Sequence, residues 1–518
     1  MATTTADEDT GYLPATATEP SVRRRIAERL VRPMPTDDVA GWLAPMGVFL
    51  VALLMRLHRL GVPKADAFDE VYYACDAQSM LRNGIEVAHK ARENGFCVED
   101  PAATPFAGFV VHPPLGKWAI AAGEKMFGFN SFGWRFSAAI FGALSVLLLA
   151  RIGRRMFRST LLGCVAAGIM AFDGLHFVQS RMAMLDIFLL FWVVAAFGCL
   201  VVDRDDMRAR LAARLDADLS LPGPKLGLRW WRVGAGVCLG AAVATKWSGL
   251  YFVAGFGLLT FAWDVGARRT AGIRLPFVAT LWREALSLVS CILLVGSLVY
   301  VASWGGWFAS DNGWRRNPGT FGTNLAHQND FGPVQGFARY HQEIWGFHQN
   351  LKSDHGYESK PASWFLLIRP VAYYYQTPEE GSSQATLGVG SPAVWWASLP
   401  AMVALAWCWV SRRDWRAAAI LSTIGVGYLP WFLEGGRTMF LFYALPLVPF
   451  MALALAYCAG LTVGRPEHSL RRRRIGAAAL GGYLALVVWN FLYLYPVLAS
   501  KIIPYSEWQD RMLFKTWI

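Results

Sequence analysis

GWLAPMGVFLVALLMRLHR, residues 41–59, is followed after a short turn-like stretch by Asp66-Ala67-Phe68-Asp69-Glu70-Val71-Tyr72-Tyr73. The first segment is apolar over nearly the ~20 residues that a helix needs to cross a bilayer. The second sets adjacent carboxylates just beyond one membrane face. Further apolar runs lie at about 133–150, 160–177, 183–202, 233–247, 249–264, 285–304, 392–410, 417–433, 438–460 and 476–498, giving eleven candidate spans. Those at 160–177 and 233–247 are short, glycine-rich or interrupted. With 55% hydrophobic and only 17% charged residues among 518, the chain reads as an all-α polytopic membrane protein rather than three or four soluble domains.

The net charge of +12 does not form a nucleic-acid-binding stripe, because Lys and Arg fall in short clusters between apolar runs. Nucleic-acid binding is excluded on that ground. Positive residues concentrate on the cytoplasmic side of membrane proteins. With residues 1–38 read as a disordered cytoplasmic tail held by Arg23, Arg24, Arg25, Arg29 and Arg32, eleven spans place every short basic cluster inside, from Arg151–Arg158 to Arg471–Arg474. Omitting one span would invert the later loops, so the C-terminus is expected outside a multi-pass plasma-membrane protein. Residues 39–518 then form a single integral-membrane catalytic domain, with long outer loops at 61–132 and 305–391.

The first outer loop carries a stripe, Val71, Tyr72, Cys75, Ser79 and Leu81–Arg82, that suits an amphipathic helix at the interface. In the second, Trp304, Trp307, Trp314, Trp345 and Trp364 suit interfacial anchors. Cys75 and Cys97, alone of the eight cysteines, lie outside apolar runs and read either as a disulfide or as two free thiols. The other six read as small packing residues.

No Walker A loop, strand-placed Gly-x-Gly-x-x-Gly or His-Glu-x-x-His is present. His341, His348 and His355 recur every seven residues, but seven helical residues rise about 10.5 Å, too far for one zinc with ~2 Å ligand bonds. They read as polar loop residues, with one or two of them reaching substrate as the alternative. Asp69-Glu70 has its own plain reading, since Asp favours the helix N-cap and Glu the first turn. On the same face, however, stand His112-Pro113-Pro114-Leu115-Gly116-Lys117 and cations at outer span ends, Arg135, Lys246, Arg369 and Arg437. Lys and Arg also snorkel at such places, but a carboxylate pair facing several cations suggests chemistry.

A glycosidase needs two carboxyl groups, one of them protonated. A phosphate leaving group departs as an anion and mainly wants cations around it. One base and a basic clamp therefore suit sugar transfer from a phosphate to a hydroxyl. The helix N-terminus is expected to keep Asp69 ionised at some cost in base strength. Nucleotide sugars are cytosolic, so an outer site calls for a lipid-linked phosphosugar whose chain sits between helices, with membrane lipids around the protein.

Asp69-Glu70 after the first span, His112 to Lys117, Gly133-Trp134-Arg135-Phe136, Ser180-Arg181-Met182-Ala183-Met184-Leu185-Asp186, and His341-x-x-x-Trp345-x-Phe347-His348 through His355-x-Tyr357-x-Ser359-x-Pro361 together resemble the protein O-mannosyltransferases over nearly all of the chain. The resemblance implies the architecture of glycosyltransferase superfamily C, with interfacial helices in the outer loops. It also implies inverting transfer of mannose from polyprenyl-phosphate-mannose to Ser or Thr of a protein emerging from the secretion translocon. By the same resemblance Asp69 is the general base, Glu70 orients the acceptor, and Arg135 is essential, supporting the acidic pair or the donor. No metal or cofactor is implied. Phosphate contacts by Lys117, Lys246, Arg369 and Arg437 follow from charge and topology alone, and His112 and His348 are further site candidates. Asp186 is either functional, as intramembrane acids are by default, or paired with Arg181. Eukaryotic members carry a lectin-like domain in the second outer loop, for which roughly 85 residues leave no room. With its Ala- and Arg-rich composition, the chain resembles an actinobacterial member.

Two other readings compete. A related lipid-phosphosugar transferase acting on a lipid or a cell-wall glycan would share the base and topology and differ in loop motifs. A transporter would place charges at mid-span and show internal repeats, and neither is evident.

Overall fold

The computed structural model describes residues 19–93, 96–99, 108, 111–215, 223–316 and 332–518. Helix α1 (Glu19–Leu30) precedes the first long apolar helix, α2 (Ala40–Leu57). Between α2 and the next long helix lie α3 (Glu70–Asn83), a hairpin of β1 (His89–Glu93) and β2 (Phe96–Glu99), and α4 (Leu115–Phe127). The chain continues through α5 (Ser131–Phe157), α6 (Thr160–Ala171), the short α7 (Gly174–Gln179) and α8 (Asp186–Ala212). After α9 (Trp230–Thr245) and α10 (Gly249–Thr270), α11 (Pro276–Leu288) joins α12 (Val295–Ser303) through a π-helical turn, followed by the short α13 (Gly305–Ala309). The second long connection holds α14 (Pro333–Asn350), α15 (Pro361–Trp364), β3 (Val371–Gln376) and β4 (Ser382–Gly388). The last helices are α16 (Pro392–Arg412), α17 (Trp415–Tyr428), α18 (Val448–Val463) and α19 (Leu470–Leu498), before β5 (Ile502–Pro504) and α20 (Tyr505–Asp510).

Every predicted apolar run is helical. Eight segments among the described residues are long and apolar enough to cross a membrane: α2, α5, α8, α10, the continuous 276–303, α16, residues 441–463 and α19. The other three runs form α6, α9 and α17, of 12, 16 and 14 residues. At 1.5 Å per residue these are roughly 18–24 Å long, short of the ~30 Å hydrocarbon layer. Large apolar side chains such as Trp282, Leu286 and Leu298 are exposed on the surface of 276–303. Water would not tolerate that face, and lipid does. One apolar core runs from Ala52 to Trp517, with residues 441–463 at its centre.

Several expectations need correction. Residues 19–30 of the supposed disordered tail form α1, because Leu30 buries against Met207, Leu211 and Ile273 while Arg208 donates to the carbonyl oxygens of Arg29 and Leu30; residues 1–18 lie outside the described residues. The helical fold expected is observed, and to it β3, β4 and β5 add a small three-stranded sheet that ties the second connection to the C-terminal segment. The Val371-Ala-Tyr-Tyr-Tyr-Gln376 run has the β-branched and aromatic character of a strand. Trp304, Trp307 and Trp364 are core residues rather than interfacial anchors, whereas Trp345 is exposed. The predicted stripe of α3 also divides: Cys75 and Ser79 point inward, while Tyr72 and Leu81 point outward.

The weak run 233–247 is held in place by two features. Gly236 and Gly240 let α9 meet the π turn and α12 backbone to backbone, since a Cβ at Gly236 would stand 1.8 Å from the Cys291 carbonyl oxygen. Below them, Arg229 and Arg232 pair with Asp203, Asp264 and Glu284, and Glu284 also takes Arg268. Three arginines against three acids, all buried, bind α8, α9, α10 and α11 together.

Candidate active site

The turn Ala67–Glu70 fixes where the acids point. The Glu70 N–H donates to the Ala67 carbonyl at 3.1 Å, Phe68 has φ 53° and Asp69 has φ −70°, ψ −5°. These angles fit the central residues of a type II′ turn, whose first central position is dominated by Gly, Asn and Asp. A phenylalanine there stores strain of order 1–3 kcal/mol. Four rings surround it, those of His355, Tyr373, Phe440 and Phe442.

Asp69 occupies the N-cap position of α3, but its side chain makes no cap bond. The plain helix-start reading therefore accounts for its place and not for its carboxylate. Glu70 is the opposite case. Its two oxygens receive the Arg135 Nε and Nη2 donors at 2.8 and 2.7 Å and the N–H groups of Ala183 and Ala67 at 2.8 and 2.9 Å. The remaining Arg135 donors reach the carbonyl oxygens of Leu60, Pro63 and Ala65. Both side chains are fully buried, so the pair is a scaffold under Asp69.

The Asp69 carboxyl is half-buried, and its pKa is pushed up to about 6 by burial, against the pull of Lys246. This reverses the expectation of a weakened base: without a cap bond the helix end does not hold the charge, and burial strengthens the base. The Tyr73 hydroxyl, 3.5 Å away, is its nearest hydrogen-bonding side chain. Asp186 pairs with Lys246, whose Nζ donates to both carboxylate oxygens at 2.9 and 3.0 Å. Of the two readings of Asp186, the pair with Arg181 is not formed, because Arg181 spends its donors on the carbonyl oxygens of Arg56, His58 and Arg59. The Lys246 Nζ also lies 4.7 Å from the centre of the Tyr443 ring, and Arg437 lies 5.9 Å from the same ring.

Arg437 donates to His348 Nδ1 at 3.2 Å, while His348 Nε2 lies 2.9 Å from the Val111 carbonyl oxygen. That carbonyl requires the proton on Nε2 and leaves Nδ1 as the acceptor. Burial lowers the His348 pKa to about 4, with Arg437 adding to the effect. His112 is tilted against His348 at 5.3 Å between ring centres, and burial holds it neutral too. His112 Nδ1 and Arg437 Nε are buried without a hydrogen-bond partner among the described residues.

The predicted clamp is smaller than the sequence suggested. Lys117 is buried with Glu86 at 2.7 Å and Asp76 at 3.6 Å, so it holds α4 to α3 rather than a phosphate. Arg369 donates to the carbonyl oxygens of Gly356, Thr516 and Ile518, pinning the C-terminal segment. Arg135 serves Glu70. Arg437 remains, together with Lys246, which is paired with Asp186 but lies over the Tyr443 ring that Arg437 also approaches, and the neutral His112–His348 pair stands beside Arg437. The seven-residue histidine pattern breaks because α14 ends at Asn350; His341 meets the Tyr300 hydroxyl at 2.7 Å instead. Among the described residues no group of three His, Cys, Asp or Glu could hold a metal ion. Sequence reading missed Phe68, Tyr373 and Tyr443; the aromatic run Phe440-Leu441-Phe442-Tyr443, directly after Arg437, was the available clue.

The profile of the family described as dolichyl-phosphate-mannose-protein mannosyltransferase matches residues 46–303, and that of the C-terminal four-transmembrane region of protein-O-mannosyltransferase matches 333–517. A polyprenol-phosphate-mannose–protein mannosyltransferase of Mycobacterium tuberculosis is 38% identical over 504 residues, covering 93% of each chain. One from Corynebacterium glutamicum is 34% identical over 498 residues, covering 93% of this chain and 94% of that one. The S. cerevisiae protein O-mannosyltransferase Pmt1–Pmt2 complex bound to the sugar donor superposes with a TM-score of 0.73, at 16% identity, over 96% of this chain and 94% of the other. The acid pair, its arginine and the helical frame around them thus lie within a likeness that runs almost end to end, and the chain belongs to the dolichyl-phosphate-mannose-protein mannosyltransferase family.

Proposed function

We propose that this glycosyltransferase moves mannose from polyprenyl-phosphate-mannose to a Ser or Thr hydroxyl of a secreted protein, with inversion, at the extracytoplasmic face of the plasma membrane. The observation that carries this reading is Asp69, an uncapped, half-buried carboxyl with a pKa near 6, facing a site whose cations are Lys246 and Arg437. The acceptor oxygen attacks the anomeric carbon from the face opposite the phosphate. The bond from that carbon to the phosphate oxygen breaks, and the bonding pair leaves with polyprenyl phosphate. Asp69 takes the hydroxyl proton, and Lys246 and Arg437 meet the charge growing on the leaving group. Because His112 and His348 are neutral, neither competes with Asp69 for that proton, and the unpartnered Nδ1 of His112 is available for a hydrogen bond to substrate.

The topology belongs to the same proposal. Eleven spans, with the N-terminus cytoplasmic and the C-terminus outside, place α3, α4 and α14 on the outer face, where chains emerging from the secretion translocon present their hydroxyls. The description of the 333–517 region as having four membrane spans supports counting α17 beside α16, 441–463 and α19.

The test is incubation of purified protein with radiolabelled polyprenyl-phosphate mannose and a Ser/Thr/Pro-rich peptide. Peptide label released by α-mannosidase is the expected result. Label confined to lipid or glycan acceptors would favour the related transferase reading instead.

A further inference from the structure

Phe68 is the sole aromatic residue with a positive φ among the described residues. Its ring meets His355, Tyr373, Phe440 and Phe442 edge to face, at centre-to-centre distances of 5.8, 5.3, 5.6 and 5.8 Å. These partners come from three separate places: the connection after α14, strand β3, and the segment leading into α18. Phe440 and Phe442 are themselves stacked at 5.4 Å, so the receiving box is built independently of the ring it holds. The next residue along the chain is Asp69.

A side chain with a Cβ disfavours the left-handed turn, and it keeps that turn only where its surroundings over-determine it. Freed of the box, residue 68 would relax toward negative φ. The Asp69 carboxylate would then swing back to the helix start, where Asp is a favoured cap. We propose that Phe68 is a positioning residue: its ring, locked among four others, imposes the turn that aims Asp69 into the site. This rests on the reading of Asp69 as the base. It differs from ordinary core packing, because what matters is the backbone state that the ring enforces and not the volume it fills.

The two roles predict opposite orders across one series. Glycine accepts positive φ freely, whereas alanine and leucine keep the Cβ and lose the aromatic contacts. If Phe68 positions Asp69, kcat for mannose transfer by the full-length protein falls about 10- to 100-fold in Phe68→Ala and Phe68→Leu, as misplacement of a reacting group does. Phe68→Gly stays nearest the unsubstituted rate, KM for donor and acceptor stays unchanged, and the acid limb of the pH profile moves down in the Ala and Leu variants only. If Phe68 merely packs, the order follows lost volume, with Leu best and Gly worst, and that result overturns the inference. Unchanged kcat throughout would also overturn it.

A second arm does not depend on how well each variant folds. Phe440→Leu is expected to lower kcat when Phe68 is present and to add no further loss in the Phe68→Gly background; an equal loss in both backgrounds counts against the ring lock. Asp69→Asn is measured alongside. Full activity there would remove the base assignment itself, whereas its loss together with a volume-ordered Phe68 series removes only the positioning role.

Discussion

Arg135 gives all five of its guanidinium N–H groups away, two to Glu70 and three to the carbonyl oxygens of Leu60, Pro63 and Ala65. A planar fork with five fixed donors is the one side chain that can do this. It joins α5 to the end of the first span and, through Glu70, to the start of α3. Lysine has three donors and no fork. Arg135→Lys is therefore expected to leave Glu70 buried and under-paired, at a cost of about 3–5 kcal/mol. Thermal unfolding of the detergent-purified protein should show the drop together with lost transfer.

Asp69→Asn is expected to separate rate from stability. Removing a general base costs about 10²–10⁴-fold, so transfer should fall by that range while the helical protein remains intact. Its pH dependence has a definite sign. The folded pKa of about 6 lies above the ordinary carboxylate value, so between those two pH values the folded state binds the proton and the unfolded state has released it. Stability contributed by this group therefore declines as pH rises through that window, and activity rises through about pH 6 as the base ionises. At neutral pH Asp69→Asn should be as stable as the parent or more so, by at most about 3 kcal/mol. A rate independent of pH between 5 and 7.5 would sink the assignment.

The contrast between these two residues shows what the sequence carried and what it did not. Hydrophobic period and length were enough to place every apolar run on a helix, because burial in lipid leaves backbone groups few alternatives. The acid pair was also visible, since adjacent carboxylates at a span end are rare. The division of labour within it was not, because it depends on Arg135, 65 residues further on, choosing Glu70 over Asp69. Nor does charge alone say which cations are already engaged: Lys117 and Arg369 look like Arg437 until Glu86 and the carbonyl oxygen of Ile518 are seen to occupy them, and Lys246 is itself paired with Asp186. The left-handed Phe68 breaks a local rule and so was invisible to local reasoning.

Arg437→Ala should act on the donor. The side chain touches His348 and the Tyr443 ring, and its Nε has no partner among the described residues. A charge-assisted hydrogen bond to phosphate is worth about 1.5–3 kcal/mol, which is roughly a 10- to 100-fold rise in donor KM, with acceptor KM little changed. Steady-state kinetics with each substrate varied in turn measures this. Equal effects on both would remove Arg437 from the clamp.

The Cys75–Cys97 bridge, one of the two readings the sequence left open, ties α3 to β2 across 22 residues of sequence. Closing a loop of that size stabilises by about 3 kcal/mol in the chain-entropy model. Mass mapping should find these two thiols alkylated only after reduction. Cys75→Ser with Cys97→Ser should lower the unfolding temperature of the outer segment without abolishing membrane insertion, which the apolar helices provide.

The buried charge cluster beneath α9 makes the remaining prediction, and it concerns folding alone. Arg232 donates to Asp203, Asp264 and Glu284, and none of these groups faces Asp69 or Arg437. Removing it leaves the three buried acids facing only Arg229 and Arg268, with one charge uncompensated in a low-dielectric site, costing about 3–5 kcal/mol. Arg232→Ala should therefore reduce the yield and thermal stability of the protein while kcat per folded molecule stays at the parent value. Replacing Glu284 with Gln in the same chain should recover part of the loss, because one stranded charge is then gone. If Arg232→Ala lowered kcat without lowering stability, the cluster would have to be coupled to the reacting face through α9, whose end carries Lys246.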